Sequence, residues 1–491
     1  MNQNEVLIFA PIAQREIDFY LNLAGEISRL NPSISVEFIS FFQPGNKQIT
    51  DAKYKVYDLY HEIESIQKDP SKKEVSLDSL EKKYQKNLKL LSLHEAVTFN
   101  HFDYKKLTNK YRHYLLATDK IILDIKKKYQ KISIFQELGG FVAPVSLFLV
   151  CQNEKIPHVF FEPSYFGGRI HFNLDTLGAP LSQKEIPTSP LEEVEKYIEE
   201  VKTQRRIVVP SKDTQHYKRM GIRKLINWEN FLKVYRKFHS KYFDKHKQEY
   251  EHIWNHCKRY IDMYFNRLRL KKYLTNDINE LPKKFVYFPF HVQLDYSLTI
   301  RAPFYLNQLA LVNFLCKCLP SSYALVCKEH PITEGSLPWR EIKEISEKNS
   351  NFFILDPSIN TYNIVSNSSA VVTINSKVGY ESLTLGKEVL VLGDAFYDDF
   401  EIVWKNTNPL ELPQLIEKVV SGEKKNTSEE KLLRYFSRVW LSSYDGELYN
   451  NSKENILNFS KSLLSHIANF YSATVEEVEN QEKTNVENLT Y

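Results

Sequence analysis

FVYFPFHV (285–292), YALVCKEHP (323–331), FFILDP (352–357), AVVTINS (370–376) and EVLVLGD (388–394) are five short apolar runs at near-regular intervals in the second half of the chain. Each is rich in Val, Ile, Leu or Phe, and each is followed by sequence with helical spacing. Strands alternating with helices of about 10–15 residues read as βαβ units and hence as a parallel sheet covered on both faces. In such a sheet ligands bind beyond the carboxyl ends of the strands. The polar residues that end these runs are therefore the first candidates for a site: His291, Gln293 and Asp295; Lys328, Glu329, His330 and Pro331; Asn375, Ser376, Lys377 and Glu381; Gly393 and Asp394.

Working outward, the amino-terminal part opens in the same way, with apolar runs at 6–10 and 35–39. Residues 51–128 carry Leu, Tyr and charge with little Gly or Pro, which favours long helices. ISIF (132–135) then leads through QELGG (136–140) into a helix-like run at 142–151, and HVFFEPSYFGGRI (158–170) reads as a strand ending at Glu162 and a glycine-bearing loop. Between the two halves, residues 185–280 are dense in Lys, Arg, Tyr and His on helical spacing. The expected organisation is an α/β lobe over 1–184, a helical insertion or connector over 185–280, a second α/β lobe over 281–426, helices over 427–474 and a flexible acidic tail over 475–491.

The bulk properties narrow the function classes. In 491 residues, 65 Lys and Arg face 61 Asp and Glu, giving a formal charge of +4, without the concentrated basic excess of a nucleic-acid binder. Basic clusters such as Lys126–Lys128 and Arg205–Arg206 read as solvated helix faces sooner than as contacts with lipid headgroups. Five cysteines without metal spacing fit reduced thiols. Neither a leader-like amino terminus nor a run of about 18 apolar residues is present, so the expectation is a cytoplasmic chain without a transmembrane segment, with peripheral association at the inner face of the plasma membrane left open.

The candidate residues suit a phosphate-bearing ligand. In TINSKVGYESL (373–383) a strand runs through Asn375 and Ser376 into a helix whose first turns hold Lys377 and Glu381. Backbone N–H groups and a hydroxyl at a helix amino terminus favour a phosphate, and a carboxylate just inside can accept from ribose hydroxyls, although Ser376 is equally a plain helix cap. His330 before Pro331 can offer an N–H to a phosphate oxygen. The chain has no G-x-G-x-x-G, Walker loop, G-x-S-x-G or H-E-x-x-H motif, and no Asp-x-Asp for a metal-held diphosphate. The expectation is phosphate neutralisation by helix ends and basic side chains, with no cofactor and no metal.

FVYFPFHVQLDYSLTIRAPFYLNQLALV, LPSSYALVCKEHP and AVVTINSKVGYESLTLGKEVLVLGDAFYDD, in that order, resemble the capsule polysaccharide biosynthesis family over about 285–400, with a looser likeness around 132–170. The resemblance implies two Rossmann-type lobes facing a cleft in the GT-B manner, and a glycosyltransferase of bacterial surface polysaccharide moving Kdo or a related acidic sugar from a CMP-activated donor to a glycan or lipid-linked glycan. It further implies His330 and Pro331 at the CMP moiety, Asn375 and Ser376 at the phosphate, Glu381 at the ribose or cytidine, Asp295 as nucleophile and Glu137 as acid or base. Asn375 and Lys377 depart from the small residues usual in that turn. A covalent Asp295 intermediate retains configuration, whereas Glu137 acting as base in a single displacement inverts it. Asp295 also reads as a helix cap and Glu137 as a loop residue. On the acceptor side the candidates are Glu162, Arg169 and His171, Arg169 reading as a loop ion pair sooner than as a contact to an acidic acceptor or the donor carboxylate. Two alternatives stand beside this one: a GT-B transferase or epimerase using a UDP-sugar, and a non-catalytic polysaccharide assembly or export protein.

Overall fold

The computed structural model describes residues 4–69, 75–180, 184–205, 228–250, 252–399, 401–423, 425 and 428–488, with the backbone only for Glu229 and 471–488. Two seven-stranded sheets carry it. The first is built from β1 (Glu5–Phe9), β2 (Ile34–Ser40), β3 (Lys55–Asp58), β4 (Lys131–Glu137), β5 (His158–Pro163), β6 (Arg169–Leu174) and, from far along the chain, β14 (Tyr444–Asp445). Its order is β14-β6-β5-β4-β1-β2-β3. The pairs among β1 to β5 are parallel, while β5–β6 and β6–β14 are antiparallel.

The second sheet uses β7 (Leu274–Thr275), β8 (Phe285–Pro289), β9 (Ala324–Lys328), β10 (Phe352–Leu355), β11 (Ala370–Thr373), β12 (Glu388–Val391) and β13 (Trp404–Lys405) in the order β13-β12-β11-β8-β9-β10-β7. All its pairs are parallel. Taken from its first long strand, each lobe winds outward in one direction for two strands, returns, and winds the other way for two more. That is the doubly wound Rossmann pattern, and it puts a crevice at the carboxyl ends where the winding reverses, between β1 and β4 in one lobe and between β8 and β11 in the other.

Central strands read as continuous apolar runs because helices cover both faces. β8 and β9 are buried along their whole length. Val286, Phe288, Leu325 and Cys327 point into one core layer, and Phe285, Tyr287, Ala324 and Val326 into the opposite one, as the period of two requires. A separate apolar cluster spans the lobes, joining Phe166 and Ile198 to Tyr380, Val391, Tyr397 and Phe436.

The carboxyl-terminal segment crosses back. Helix Glu429–Leu441 packs on helix Glu192–Gln204, β14 extends the first sheet, and helix Lys453–Asn488 lies along helix Gln14–Leu30. This helix runs through 475–488, where a loose tail is expected from the acidic composition, since neither Gly nor Pro interrupts it. Residues 489–491, and 206–227 of the expected connector, lie outside the described residues. The described connector comprises helices Glu192–Gln204, Trp228–Tyr242 and Ile253–Leu270.

Candidate active site between the lobes

The carboxyl ends of β8, β9, β10, β11 and β12 open onto one cleft of about 490 Å³ whose other wall is supplied by β4 and β5. Asp295, His291, Lys328, His330, Pro331, Asn375, Ser376, Lys377, Glu381 and Asp394 line it from the second lobe, and Glu137, Glu162 and Tyr165 from the first. Residues as far apart in sequence as Glu137 and Ala395 thus share a cavity because both sheets present the same edge to each other.

Backbone and histidine contacts set the switch point. The Asn375 N–H donates to His291 Nε2 (3.2 Å), joining the ends of β8 and β11, and the Asn375 amide donates to the Ser297 carbonyl (2.8 Å). Gln308 clamps the His291 backbone, accepting from its N–H (2.7 Å) and donating to its carbonyl (3.0 Å). His330 Nδ1 accepts from the Ile332 N–H (3.2 Å), which leaves Nε2 to carry the proton of the neutral ring. Burial lowers the pKa of His94, His291 and His330 to about 4 each, against the opposing pull of Asp295, so three neutral imidazoles surround that carboxylate at physiological pH. Asp295 itself caps the short helix Tyr296–Thr299, accepting from the Ser297 N–H (2.8 Å).

Lys328, Lys377 and Glu381 lie together on the second-lobe wall. Lys328, the last residue of β9, donates to the Ile359 carbonyl and to Thr361 Oγ1, both at 2.8 Å. Burial lowers its pKa to about 8, partly offset by Glu381 and Asp356. Burial raises Glu381 to about 7, with Lys377 and Lys328 pulling the other way. Among the described residues no donor reaches the Glu381 carboxylate. Ser376 caps helix Lys377–Thr384 through the Val378 N–H (3.2 Å), and Lys377 lies 5.3 Å from the Tyr165 ring centre. Gly379 is required by closeness: a Cβ there would stand 2.2 Å from the Tyr397 hydroxyl.

Glu329 also lines the cleft, but its carboxylate is taken up by the protein. Its carboxylate accepts from Gly335 N–H (2.7 Å), Ser336 Oγ (2.9 Å) and Leu337 N–H (3.0 Å), fastening the loop that follows Pro331. Gly335 has φ +89° and would place a Cβ 2.1 Å from the Met263 carbonyl, so that loop is seated against helix Ile253–Leu270.

The first lobe's residues are held more tightly. Glu137, ending β4, accepts from the Tyr449 hydroxyl and lies 3.5 Å from Arg15, while its own N–H donates to the Tyr20 hydroxyl (3.0 Å). Glu162 forms a two-pronged ion pair with Arg301 across the lobes (2.9 and 2.7 Å) and accepts from Asn173 (2.7 Å). Burial alone raises its pKa, but Arg301 and Asn173 outweigh burial and hold it below the usual range. Glu162 lines the cleft from the expected side, with its carboxylate already held by Arg301 and Asn173.

Arg169 and His171 do not line the cleft, which corrects the expectation for both. Antiparallel pairing with β14 draws Arg169 to the far edge, where it donates to Ser443 Oγ (2.7 Å), the Ser443 and Trp440 carbonyls and Asp445 (2.6 Å), and stacks on Trp440. His171 is buried behind Tyr165 with Nδ1 toward the Ser442 carbonyl. Gln293 sits half-buried in the turn after His291, outside the cavity lining. Sequence reasoning did not find Arg301, Thr361 and Tyr449. Arg301 and Tyr449 follow no apolar run, and their partners lie 139 and 312 residues away.

Residues 191–410 match the family model described as capsule polysaccharide biosynthesis protein. Over that stretch, a little under half of the chain, the protein is similar to the capsule polysaccharide biosynthesis family. The match covers β7 to β13 and the second-lobe wall of the cleft. Protein FixF of Sinorhizobium fredii (strain NBRC 101917 / NGR234) is 30% identical over 145 residues, 29% of this chain and 34% of the relative, so the chain spans about a third of the length of this curated relative. Among solved structures, the Thermosulfurimonas dismutans KpsC beta Kdo 2,7 transferase is similar at 15% identity over 70% of this chain and 89% of that one, with a TM-score of 0.34. The UDP-GlcNAc 2-epimerase of Neisseria meningitidis bound to UDP-GlcNAc is similar at 12% identity over 94% and 99%, with a TM-score of 0.25. The fold class rests on the two strand orders.

Proposed function

We propose that the protein is a glycosyltransferase of bacterial surface polysaccharide synthesis that takes Kdo or a related acidic sugar from a CMP-activated donor and passes it to a glycan or lipid-linked glycan. The observation that carries the reading is the gathering of Asp295, Lys328, His330, Ser376, Lys377 and Glu381 on one edge of the second sheet, facing Glu137 across a single cleft. The donor phosphate lies at the amino terminus of helix Lys377–Thr384, where the helix dipole, Lys377 and Lys328 balance its charge without a metal and His330 Nε2–H donates to it. The Glu381 carboxylate accepts from ribose or cytidine.

The 2-keto sugar reaches Asp295 as CMP departs. Departure breaks the anomeric C–O bond and leaves an oxocarbenium-like centre, to which the Asp295 carboxylate donates an electron pair, and the acceptor oxygen later displaces that carboxylate. Glu137 takes the acceptor proton. Its contacts with Arg15 and Tyr449 hold the carboxylate in place at the cleft wall for that step.

Thermal stability of the purified chain with CMP, CDP or UDP tests the donor. Binding to the native state at about 100 times Kd adds about 2.7 kcal/mol, so selective stabilisation by CMP is the expected result. A response to UDP alone reassigns the pocket to a UDP-sugar.

A further inference from the structure

Away from the cleft, helices Trp228–Tyr242 and Ile253–Leu270 form an arm that leaves large apolar side chains in water. On the first helix Trp228, Phe231, Tyr235, Phe238 and Tyr242 recur at steps of three and four, so they form one stripe. All five are exposed, Trp228 by 72%, and Phe243 continues the stripe at 69%. On the second helix Trp254, Ile261, Phe265 and Leu268 recur at seven, four and three, Trp254 being 66% exposed. Soluble surfaces normally scatter such side chains singly.

Charge is segregated on the same arm. Residues 228–272 hold twelve Lys and Arg against five Asp and Glu, in a chain whose total is +4, so everything outside the arm is net acidic. Lys233, Arg236, Lys245, Lys247, Lys258 and Arg269 are exposed there.

We propose that this arm docks on an anionic lipid bilayer, its aromatic and aliphatic side chains entering the boundary between headgroups and acyl chains while its Lys and Arg side chains meet the headgroups. Trp and Tyr suit that boundary, having an apolar body and a polar tip. A second copy of the chain is disfavoured as the occupant, because each arm carries a surplus of seven positive charges. No described helix is long and apolar enough to cross a membrane, so the arm lies on the surface.

The arm is fastened to both lobes. Asn255 donates to the Phe99 carbonyl and Arg259 to the Val97 carbonyl, both at 2.7 Å, while Arg267 pairs with Glu334 (2.8 Å) on the loop that follows His330 and Pro331. Lipid contact is thereby one ion pair away from the cleft wall. The inference concerns a different surface from the donor pocket and does not depend on the donor's identity.

Co-sedimentation of the full chain with vesicles tests it. The chain is expected to pellet with phosphatidylcholine vesicles containing about a third phosphatidylglycerol and to stay in solution with pure phosphatidylcholine. The triple variant Trp228→Ser, Phe231→Ser, Tyr235→Ser and the double variant Lys233→Glu, Arg236→Glu are each expected to bind the anionic vesicles about tenfold or more weakly, with unchanged thermal midpoints because every altered side chain is exposed. Absence of binding to anionic vesicles, or wild-type binding by both variants, overturns the proposal. So does a concentration-dependent dimer in sedimentation velocity that the triple variant dissolves, which makes a second copy the occupant.

Discussion

At the mouth of the first sheet the carboxylates are tied: Glu137 to Tyr449 and Arg15, and Glu162 to Arg301 and Asn173. At the mouth of the second, Glu381 is more deeply buried yet meets no donor among the described residues, and its pKa rises to about 7, while Lys328 falls to about 8. The two lobes share one winding pattern, so topology does not explain the difference. A buried carboxylate with partners contributes to the fold; one without them costs stability and persists where a ligand supplies the missing donors. The contrast teaches that the cleft mixes carboxylates organised by protein donors, Glu137, Glu162 and Glu329, with one, Glu381, that the fold leaves without such donors.

Four changes break or sharpen that contrast, taken from the largest effect down. Asp295→Asn is expected to lower sugar transfer about a thousandfold or more while CMP still raises the melting temperature, and a sugar adduct on the wild type should be visible by mass spectrometry. Turnover near wild type removes the nucleophile. Arg301→Ala leaves Glu162 buried and unpaired, and should cost about 3–5 kcal/mol in denaturant unfolding.

Glu381→Gln should act in the opposite sense on stability. Its folded pKa of about 7 exceeds the ordinary 4.5, so its stabilising contribution is complete below the ordinary value and is lost as pH rises through the folded one. The Gln variant is therefore expected to be more stable than wild type at pH 8, by an amount on the order of 1–3 kcal/mol, while binding CMP about tenfold more weakly. In the wild type, CMP affinity should peak between the Glu381 and Lys328 values, falling in acid as Glu381 takes up a proton and in base as Lys328 gives one up, as titration calorimetry across pH would show.

The smallest effect belongs to Arg169→Ala. Losing its bonds to Ser443 and Asp445 should lower stability by about 1–3 kcal/mol and leave CMP binding unchanged, as expected of a residue on the sheet's outer edge.

What the sequence disclosed follows from range. Long parallel strands are legible because helices cover both faces and leave uninterrupted apolar runs: 285–292 contains β8, and 132–135 lies inside β4. The residues just past those runs are legible as site candidates for the same reason, since the carboxyl ends of such strands share an edge. Two-residue edge strands such as β7, β13 and β14 carry too few side chains to form a pattern. Arg169 was assigned by adjacency to a strand end, but antiparallel pairing with β14 decides where it points, and nothing local encodes that partner. The inter-lobe pair Glu162–Arg301 is hidden likewise, because each half is an ordinary charged residue until both lobes exist.

The return of β14 to the first sheet has a consequence for biosynthesis. While the ribosome is still making residues before 444, β6 is a bare sheet margin, and the groove along helix Gln14–Leu30 lacks the helix that fills it. An unpaired margin of this kind recruits other chains. The amino-terminal half, although translated first, is thus the last to be sealed, and a chain cut short near 426 should collect in inclusion bodies even though both nucleotide-fold cores are present.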